Sequence, residues 1–320
     1  MLRFFTNNTC PIGVDMGNDA LTLVQMAKDT DGLRLFAADR IEYPSEMRPG
    51  STAWQRWAVG ALGRSVTRGR FQGRRVIAAQ PACDVFVDTM KMPESVDGEL
   101  HSAIINRLRP KLQIDPDDAL IRHFRNDSEN IFVMVSDKTK LYQHLAVYEK
   151  AQLKVEAISI WPIAVLGVYR SLWAGKMAQD DPVMLLDIGQ KGTKVTICDS
   201  ANIYFAHASS VGATALKTER MVDLLNSEMD MCRVKFKSTF RRPKVNRIIF
   251  VSGPSVDKDI YAAIAKRAQM SAHIGDCLDA VGATRSDKAD PKSLAPNANW
   301  ITAMGLSLPE IQLARRYSHA

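Results

Sequence analysis

Two stretches of the chain share one pattern of apolar and polar residues. Residues 12–26 start with a short apolar run, pass an Asp-x-Gly turn that begins at Asp15, and continue with alternating apolar and polar positions. Residues 184–198 repeat this order around a second Asp-x-Gly turn, which begins at Asp187. Alternation with a period of two is typical of a half-buried β-strand. Each stretch therefore predicts a β-hairpin whose tight turn carries a carboxylate and a glycine.

The elements predicted after the two hairpins also correspond. Each half continues with a strand, a helix and an apolar strand, over 33–43, 54–68 and 75–80 in the first half and over 202–209, 218–236 and 247–252 in the second. Strands and helices in this order form mixed sheets flanked by helices. The repeat therefore predicts a duplicated α/β fold with two lobes around a cleft.

An insertion distinguishes the first half from the second. After a further predicted hairpin at 84–92, the pattern predicts a helix, two strands and another helix, over 99–108, 119–125, 130–136 and 138–152. These elements suffice for a small α+β subdomain. The predicted organisation is a first core subdomain (1–93 and 154–180), an inserted subdomain (94–153), a second core subdomain (181–308) and a C-terminal tail (309–320).

Two further segments predict helices that pack closely. Residues 162–173 and 300–308 each contain an alanine and a glycine on an otherwise apolar helix, and their natural place is the hinge between the lobes. The polar segment 287–299 contains two prolines and predicts a surface loop.

Composition narrows the class of protein. The chain has 320 residues, of which 46% are hydrophobic, and this excludes disorder as its main state. Its longest apolar stretch, 158–169, contains a proline and is shorter than the roughly 20 residues of a membrane-spanning helix. The apolar run at the N-terminus is too short for a signal peptide. Five scattered cysteines predict neither a disulfide framework nor a zinc site. We therefore predict a cytoplasmic protein that does not span a membrane.

The net charge of +7 is partly concentrated in two groups of cations. One group lies between Arg56 and Arg75, and the other between Arg233 and Arg247. Such groups could face nucleic acid or anionic lipid. Neither group is accompanied by interleaved aromatic residues or a recognition motif, so solvated helix faces and loops are the favoured explanation and no nucleic-acid partner is predicted.

The repeated turn carries specific chemistry. An Asp at the end of a buried strand, followed by a glycine turn, places a carboxylate beside backbone N–H groups that can point at an anion. If a nucleotide lay between the two turns, the N–H groups of residues 17–19 and 189–192 would hold its phosphates. Asp15 and Asp187 would then face each other across the cleft and hold a hydrated Mg²⁺ ion. A Ser-Gly turn at Ser252 follows a buried strand and is a third candidate for contact with the nucleotide.

Asp and Gly also close tight hairpins without any ligand. That explanation suffices for a single turn. Two matching turns, each at the start of one half of a repeat, favour a nucleotide site instead.

At these turns the sequence resembles the actin-like ATPase superfamily and, within it, the PilM pilus-assembly family. The resemblance rests on four motifs: residues 12–17 for the first phosphate loop, 185–189 with Thr193 for the second, Ser252-Gly253 for the adenosine loop and 303–308 for the closing helix. The insertion lies where that of the cell-division protein FtsA does. The resemblance implies ATP and Mg²⁺ as ligands and a set of candidate nucleotide-binding residues: Asp15, Gly17, Asn18, Asp19, Asp187, Gly189, Thr193, Ser252 and Gly253.

The same resemblance implies a function and a partner. Proteins of the PilM family are cytoplasmic components of a type IV pilus or related secretion machine. They bind the N-terminal cytoplasmic tail of a single-span inner-membrane protein, PilN, in a groove between the first core subdomain and the insertion. The implied location is the cytoplasmic side of the inner membrane, reached through partners, and self-association into a ring is a further expectation.

Several positions depart from the family pattern. Asn18, Asp19 and Ala20 replace the small hydroxyl residues of the first loop, and Thr22 replaces its phosphate-supporting lysine. Asp19 is expected to repel a triphosphate. A proline follows Gly253 in the adenosine loop and removes one N–H group.

Two larger departures concern hydrolysis and the adenine. No carboxylate stands at 106–109, where the family's water-positioning acid would be, so the expected general base is lost. The helical subdomain that follows residues 209–212 in the family is reduced or absent. We therefore predict a scaffold with weak or lost ATP binding and no catalytic residue. An active ATPase or small-molecule kinase of the same superfamily is the alternative, and an FtsA-like polymer ranks third.

Overall fold

The computed structural model describes residues 9–29, 32–44, 47, 50–93, 99–176, 181–282 and 298–308. Its strands are β1 (Thr9–Met16), β2 (Ala20–Asp29), β3 (Gly32–Glu42), β4 (Arg75–Ala79), β5 (Val85–Lys91), β6 (Ala119–Arg125), β7 (Asn130–Asp137), β8 (Lys154–Ser159), β9 (Val183–Ile188), β10 (Thr193–Cys198), β11 (Ile203–Ser209), β12 (Arg247–Phe250) and β13 (Ser271–Ile274). Its α-helices are α1 (Thr52–Arg68), α2 (Leu100–Leu108), α3 (Lys138–Lys150), α4 (Trp161–Val168), α5 (Glu219–Thr239), α6 (Lys258–Ala268), α7 (Cys277–Ala280) and α8 (Ile301–Ser307).

Two five-stranded sheets repeat one topology, as the duplicated pattern predicts. The first has the strand order β3-β2-β1-β4-β8, and the second has the order β11-β10-β9-β12-β13. In each sheet a hairpin pairs antiparallel, and its first strand pairs parallel with the strand that follows the helix. The central strands are almost wholly buried because helices cover both faces of a mixed sheet. The prediction of a duplicated α/β fold is confirmed.

A third sheet, of order β5-β7-β6, forms the core of the insertion together with α2. Residues 84–92 were expected to form a hairpin in the first core subdomain, but they contain the single strand β5, which pairs antiparallel with β7 along its whole length. Helix α3 was expected in the insertion, but Val147 and Tyr148 bury their side chains in the core of the first lobe. The predicted boundaries at 94 and 153 are corrected to this extent, because hydrogen-bonding and packing partners decide where β5 and α3 belong.

The insertion is attached to the second lobe through β5. The hydroxyl of Thr89 donates a 2.6 Å hydrogen bond to the carbonyl oxygen of Tyr204 on β11. The carboxylate of Asp88 lies 2.6 Å from the ammonium of Lys111 in the insertion and 2.8 Å from that of Lys235 on α5. The Asp88 side chain is 5% exposed, so both lysines neutralise a buried charge.

Helices α4 and α8 pack backbone to backbone at the hinge, which confirms the prediction from their small residues. A Cβ atom on Gly305 would lie 2.0 Å from the carbonyl oxygen of Ala164, and one on Gly13 would lie equally close to that of Ala303. The hydroxyl of Ser307 donates to the carbonyl oxygen of Pro11 at 2.7 Å and accepts from the N–H of Met26 at 2.9 Å. Helix α8 thereby fastens the C-terminal part of the chain to β1 and β2.

Residues 210–218 alone separate β11 from α5, so no helical subdomain follows the second hairpin. This agrees with the predicted reduction. Most of the predicted loop 287–299 and the whole tail 309–320 lie outside the described residues. Within the described ranges, no helix is both long and apolar enough to cross a membrane.

Candidate nucleotide cleft

The turns of the β1–β2 and β9–β10 hairpins face each other across a narrow cleft. The cleft is lined by Asp15, Gly17, Asn18, Asp19, Ala20, Thr22, Arg40, Ala82, Asp187, Ile188, Gly189, Gln190, Lys191, Gly192, Thr193, Lys194, Ala208, Ser209, Ser255 and Asn299. Seven of the nine predicted nucleotide-binding residues are therefore brought together; Ser252 and Gly253 are not among them. The cavity has a volume of about 80 Å³, whereas sites for drug-sized ligands occupy about 300 to 1,000 Å³. Little enclosed space remains between the two turns in this arrangement.

An ammonium group occupies the space between the two predicted metal ligands. Lys194 lies directly opposite Asp187 in the β9–β10 register. Its Nζ atom is 3.4 Å from Oδ2 of Asp187 and 3.8 Å from Oδ2 of Asp15. It also donates to the hydroxyl of Thr302 on α8 at 3.4 Å. One lysine from the second lobe thus joins the carboxylates of both lobes.

The amide of Asn299 completes the surroundings of Asp187. Its Nδ2 group donates a hydrogen bond to Oδ1 of that carboxylate, and its Oδ1 atom accepts the N–H of Ile301 at 3.2 Å. The side chain of Asp187 is 4% exposed. Two donors, an amide and an ammonium, therefore compensate this buried charge, as the burial of an ionised group requires.

The electrostatics of the cleft follow from this arrangement. Burial raises the pKa of Asp15, and the charges of Asp187 and Asp19 raise it further, while Lys194 lowers it. Burial disfavours the charged ammonium of Lys194, but the two carboxylates outweigh this effect and its pKa is raised. Lys194 therefore remains a cation. The residues present do not fit a Mg²⁺ ion between Asp15 and Asp187, because the ammonium group of Lys194 already occupies the space between these carboxylates.

Asp19 is neutralised by an arginine that the sequence analysis did not consider. The guanidinium of Arg40 lies 2.9 Å from Oδ2 of Asp19 and 3.5 Å from the hydroxyl of Thr22. Arg40 reaches both because it pairs with Thr22 in the register of β2 and β3. The expected repulsion from a free Asp19 carboxylate is thus corrected: the first turn carries an ion pair.

Three of the donors predicted to bind phosphate form hydrogen bonds within the protein instead. The N–H of Gly17 donates to the carbonyl oxygen of Ala20 at 3.0 Å, and the N–H of Gly189 donates to that of Gly192 at 2.8 Å. The hydroxyl of Thr193 donates to the carbonyl oxygen of Val211 at 2.6 Å. These three donors close turns or join strands, so they are not free to meet a phosphate.

The short segment after β11 braces the second turn. A Cβ atom on Gly212 would lie 2.3 Å from the backbone nitrogen of Gly192 and 2.5 Å from the carbonyl oxygen of Gln190. The N–H of Ala213 donates to the carbonyl oxygen of Gly189 at 2.9 Å. Only glycine permits this close approach, and it holds the turn tightly against the segment that follows β11.

The predicted adenosine contacts lie behind the second turn. The Ser252 hydroxyl accepts the N–H of Ile188 at 2.5 Å, and Ser252 is 2% exposed. The carbonyl oxygen of Gly253 accepts the hydroxyl of Tyr261 at 2.8 Å. These residues tie β12 to β9 and α6, and Ser255 reaches the cleft in their place.

Comparison with solved structures identifies the architecture. A PilM-PilN type IV pilus biogenesis complex is 14% identical, with a TM-score of 0.74, over 93% of this chain and 97% of that chain. The cytoplasmic domain of EpsL, an inner-membrane component of the type II secretion system of Vibrio cholerae, is 10% identical, with a TM-score of 0.53, over 86% of this chain and 95% of that chain. The ethanolamine utilization protein EutJ from Carboxydothermus hydrogenoformans is 11% identical, with a TM-score of 0.51, over 94% of this chain and 89% of that chain.

The fold is actin-like. It is the fold that the sequence resemblance implied, with two lobes of equal topology and one inserted subdomain. No family model matches the sequence, and no curated protein matches it. At identities of 10–14% these likenesses concern architecture, and the actin-like cleft must be judged by its own residues.

Lys194, Arg40 and Asn299 are the cleft residues that the sequence analysis missed. The sequence contained a signal for Lys194. A hairpin whose turn spans residues 189–192 pairs Ile188 with Thr193, and the next pair in the register is Asp187 with Lys194. No comparable signal exists for Asn299, which was assigned to a surface loop and reaches Asp187 only because α8 returns to the hinge.

Proposed function

We propose that this chain is a scaffold of a type IV pilus or related secretion machine that binds the N-terminal cytoplasmic tail of a PilN-like inner-membrane protein. One observation carries the proposal: the likeness to the PilM-PilN complex extends over 93% of this chain and 97% of that chain, insertion included. The likeness to EpsL, a secretion-system component, supports the same class of machine. On this proposal the protein works at the cytoplasmic face of the inner membrane, held there through its partner.

We also propose that the actin-like cleft has lost ATP turnover. The ammonium of Lys194 lies between both carboxylates that would bind Mg²⁺, and three of the expected phosphate donors are engaged inside the protein. A closed cleft suits a scaffold, since a fixed angle between the lobes fixes the surfaces that they present to partners.

The junction between the first lobe and the insertion is the proposed binding groove. Helix α3 connects β7 of the insertion to β8 of the first sheet and exposes Tyr142 by 67%. Beside it, Lys140 forms a 3.0 Å ion pair with Asp84, which joins α3 to the segment before β5. An exposed tyrosine on a rigid helix is a common anchor in protein interfaces.

Tail binding can be measured directly. The probe is a labelled synthetic peptide with the sequence of the N-terminal cytoplasmic tail of a PilN-like single-span protein, titrated with the full chain and followed by fluorescence anisotropy. We expect saturable binding that does not require MgATP and that weakens about tenfold in Y142A, the loss of one interface anchor. The control V234S, an exposed site on α5, should bind as the wild type does.

Absence of binding, with and without MgATP, would contradict the scaffold proposal. An active ATPase or kinase is the alternative, favoured by the presence of Asp15, Gly17, Asp187 and Gly189 together in the cleft. Calorimetric titration with MgATP decides between the two, because saturable heat followed by phosphate release would establish the enzyme. Self-association into a ring is a separate proposal, which light scattering during gel filtration tests.

A further inference from the structure

Helix α5 exposes an apolar stripe that no other described element covers. Leu224, Met231 and Val234 are 44%, 52% and 69% exposed, and they account for most of the large exposed hydrophobic side chains in the described ranges. Their spacings of seven and three residues place them on one face of the helix. The opposite face buries Leu225, Met229 and other residues in the core of the second lobe, so α5 is apolar on two sides.

Positive charge surrounds the C-terminal end of this stripe. Between Met231 and Arg247 the chain has seven lysines and arginines and no Asp or Glu. Lys237, Arg241 and Lys244 are exposed, and no ion pair is formed by any of the three within the described part of the chain. We call Leu224, Met231, Val234, Lys237, Arg241 and Lys244 the α5 patch.

The acidic side chains near the α5 patch are already paired. Asp230 lies 2.9 Å from Arg233, and Asp223 lies 2.5 Å from Arg267 on α6. The patch therefore presents uncompensated cations beside exposed apolar side chains, and an anionic surface with an apolar layer beneath it is complementary to both.

The equivalent region of the first lobe has the charge without the apolar stripe. Helix α1 corresponds to α5 in the repeat, and it exposes Arg56, Arg64 and Arg68. Residues 50–83 contain no Asp or Glu, and none of the large exposed hydrophobic side chains in the described ranges lies among them. The two halves thus provide an internal comparison between charge alone and charge combined with apolar contact.

We propose that the α5 patch docks on the surface of an anionic lipid bilayer. Met231 and Val234 would enter the boundary between headgroups and acyl chains, as the apolar face of an interfacial helix does. Lys237, Arg241 and Lys244 would lie at the level of the lipid phosphates, where each cation adds to the attraction. Nucleic acid is the less suitable partner, because the patch offers no exposed aromatic side chain for base stacking.

Co-sedimentation with vesicles tests the proposal on the full chain. Vesicles are made of phosphatidylcholine alone or of phosphatidylcholine mixed with phosphatidylglycerol. We expect binding to the mixed vesicles that falls with increasing salt, and no binding to phosphatidylcholine alone. The variant K237Q/R241Q/K244Q should bind about a hundredfold more weakly, since three interfacial cations are lost. The variant M231S/V234S keeps every charge and should bind about tenfold more weakly.

The matched control is R56Q/R64Q/R68Q, which removes the same number of charges from the first lobe. We expect it to bind mixed vesicles as the wild type does. All substituted side chains are exposed, and circular dichroism with thermal melting checks that each variant is folded. An equal loss of binding in the control, or wild-type binding by M231S/V234S, would overturn the proposal. Duplex DNA that binds the wild type and M231S/V234S equally, and more tightly than vesicles do, would identify nucleic acid instead.

This experiment is independent of tail binding. Y142A should bind vesicles normally, and M231S/V234S should bind the peptide normally, so failure of one proposal leaves the other untouched.

Discussion

His144 is an imidazole that the fold keeps neutral. It lies on α3, where it is 7% exposed, and its Nε2–H group donates to the carbonyl oxygen of Ala79 at 3.0 Å. Burial lowers its pKa to about 4, although the hydrogen bond to Ala79 and the charge of Asp84 act in the opposite direction. Protonation would place an imidazolium charge in a buried core, where the loss of hydration disfavours it.

This residue makes stability depend on pH in a defined direction. The unfolded chain binds a proton at His144 near pH 6.5, whereas the folded chain resists it until about pH 4. Its stabilising contribution is therefore complete above pH 6.5 and is lost as the pH falls. Between pH 7 and pH 5 we expect the wild type to lose about 2 kcal/mol of unfolding free energy from this group alone. Urea denaturation at the two pH values measures the loss.

Two variants isolate the effect of His144. H144Q keeps a donor for Ala79 but does not titrate, so its unfolding free energy should fall by about 2 kcal/mol less between pH 7 and pH 5. H101Q, an exposed site on α2, should retain the pH dependence of the wild type. Equal pH dependence in H144Q and the wild type would contradict a buried neutral His144.

Single residues also mark how far the sequence alone could predict the cleft. Asp15 and Asp187 could be placed face to face because the repeat fixes them at the ends of equivalent strands. Lys194 and Arg40 depend on strand register, and Asn299 depends on a tertiary return of the chain. The carboxylates of the cleft could therefore be predicted from the sequence, but the cations that lie beside them could not.

At the scale of elements, α4 and α8 pack with their backbones in direct contact. The Cα of Gly305 lies against the backbone of Ala164, and even a methyl group at this position has no space, since a Cβ atom would meet carbon and oxygen atoms of the main chain. Main-chain atoms cannot rotate away as side-chain atoms do. The two helices must separate if anything larger than glycine is present.

The expected result is a strong asymmetry between two glycine-to-alanine substitutions. G305A should lower the unfolding free energy by about 3 kcal/mol, the cost of overpacking a rigid site. G63A, in the middle of α1 where no atom lies within 4 Å of the added Cβ, should raise it by about 0.8 kcal/mol through helix propensity. Urea denaturation of both variants measures the two values, and a tolerated G305A would contradict the described packing of α4 against α8.

Elements were easier to predict than their partners. The periods of two and of three to four residues predict most of the described strands and helices, but α6, β13 and α7 were not predicted, and residues 84–92 contain one strand rather than a hairpin. The choice of partner for β5 and α3 was predicted wrongly. A short apolar strand such as β5 can pair with either neighbouring sheet, and only the three-dimensional arrangement of β7 decides.

The whole molecule is held closed by a charge cluster that spans its two lobes. Asp15 belongs to the first lobe, Asp187 and Lys194 to the second, and Asn299 to the segment that returns between them. Separation of the lobes would leave a carboxylate without its cation, so the cluster resists opening of the cleft.

The variant K194M tests this role, because methionine keeps the aliphatic stem and removes the charge. We expect the unfolding free energy to fall by about 3 kcal/mol, the lower end of the cost for removing one partner of a buried ion pair, since Asp15 and Lys194 retain some solvent contact. Added Mg²⁺ should stabilise K194M and not the wild type, because only the variant lacks the ammonium group that occupies the space between the two carboxylates. Thermal melting with and without Mg²⁺ measures both effects.

K191M is the matched control for K194M. Lys191 is exposed in the same turn and forms no ion pair among the described residues, so its loss should change stability by less than about 0.5 kcal/mol. A K194M protein as stable as K191M would mean that the cluster does not hold the lobes together.

The attachment of α8 also constrains the order in which the protein can be made. The hydroxyl of Ser307 bonds to Pro11 and Met26, across sequence separations of 296 and 281 residues. During synthesis β1 and β2 leave the ribosome long before the helix that completes their packing, and contacts so distant in sequence form slowly. The first lobe therefore remains partly assembled, with the backbone groove around Gly13 open, until residues 301–307 have emerged. The first lobe can therefore complete its packing only after the second lobe has been synthesised.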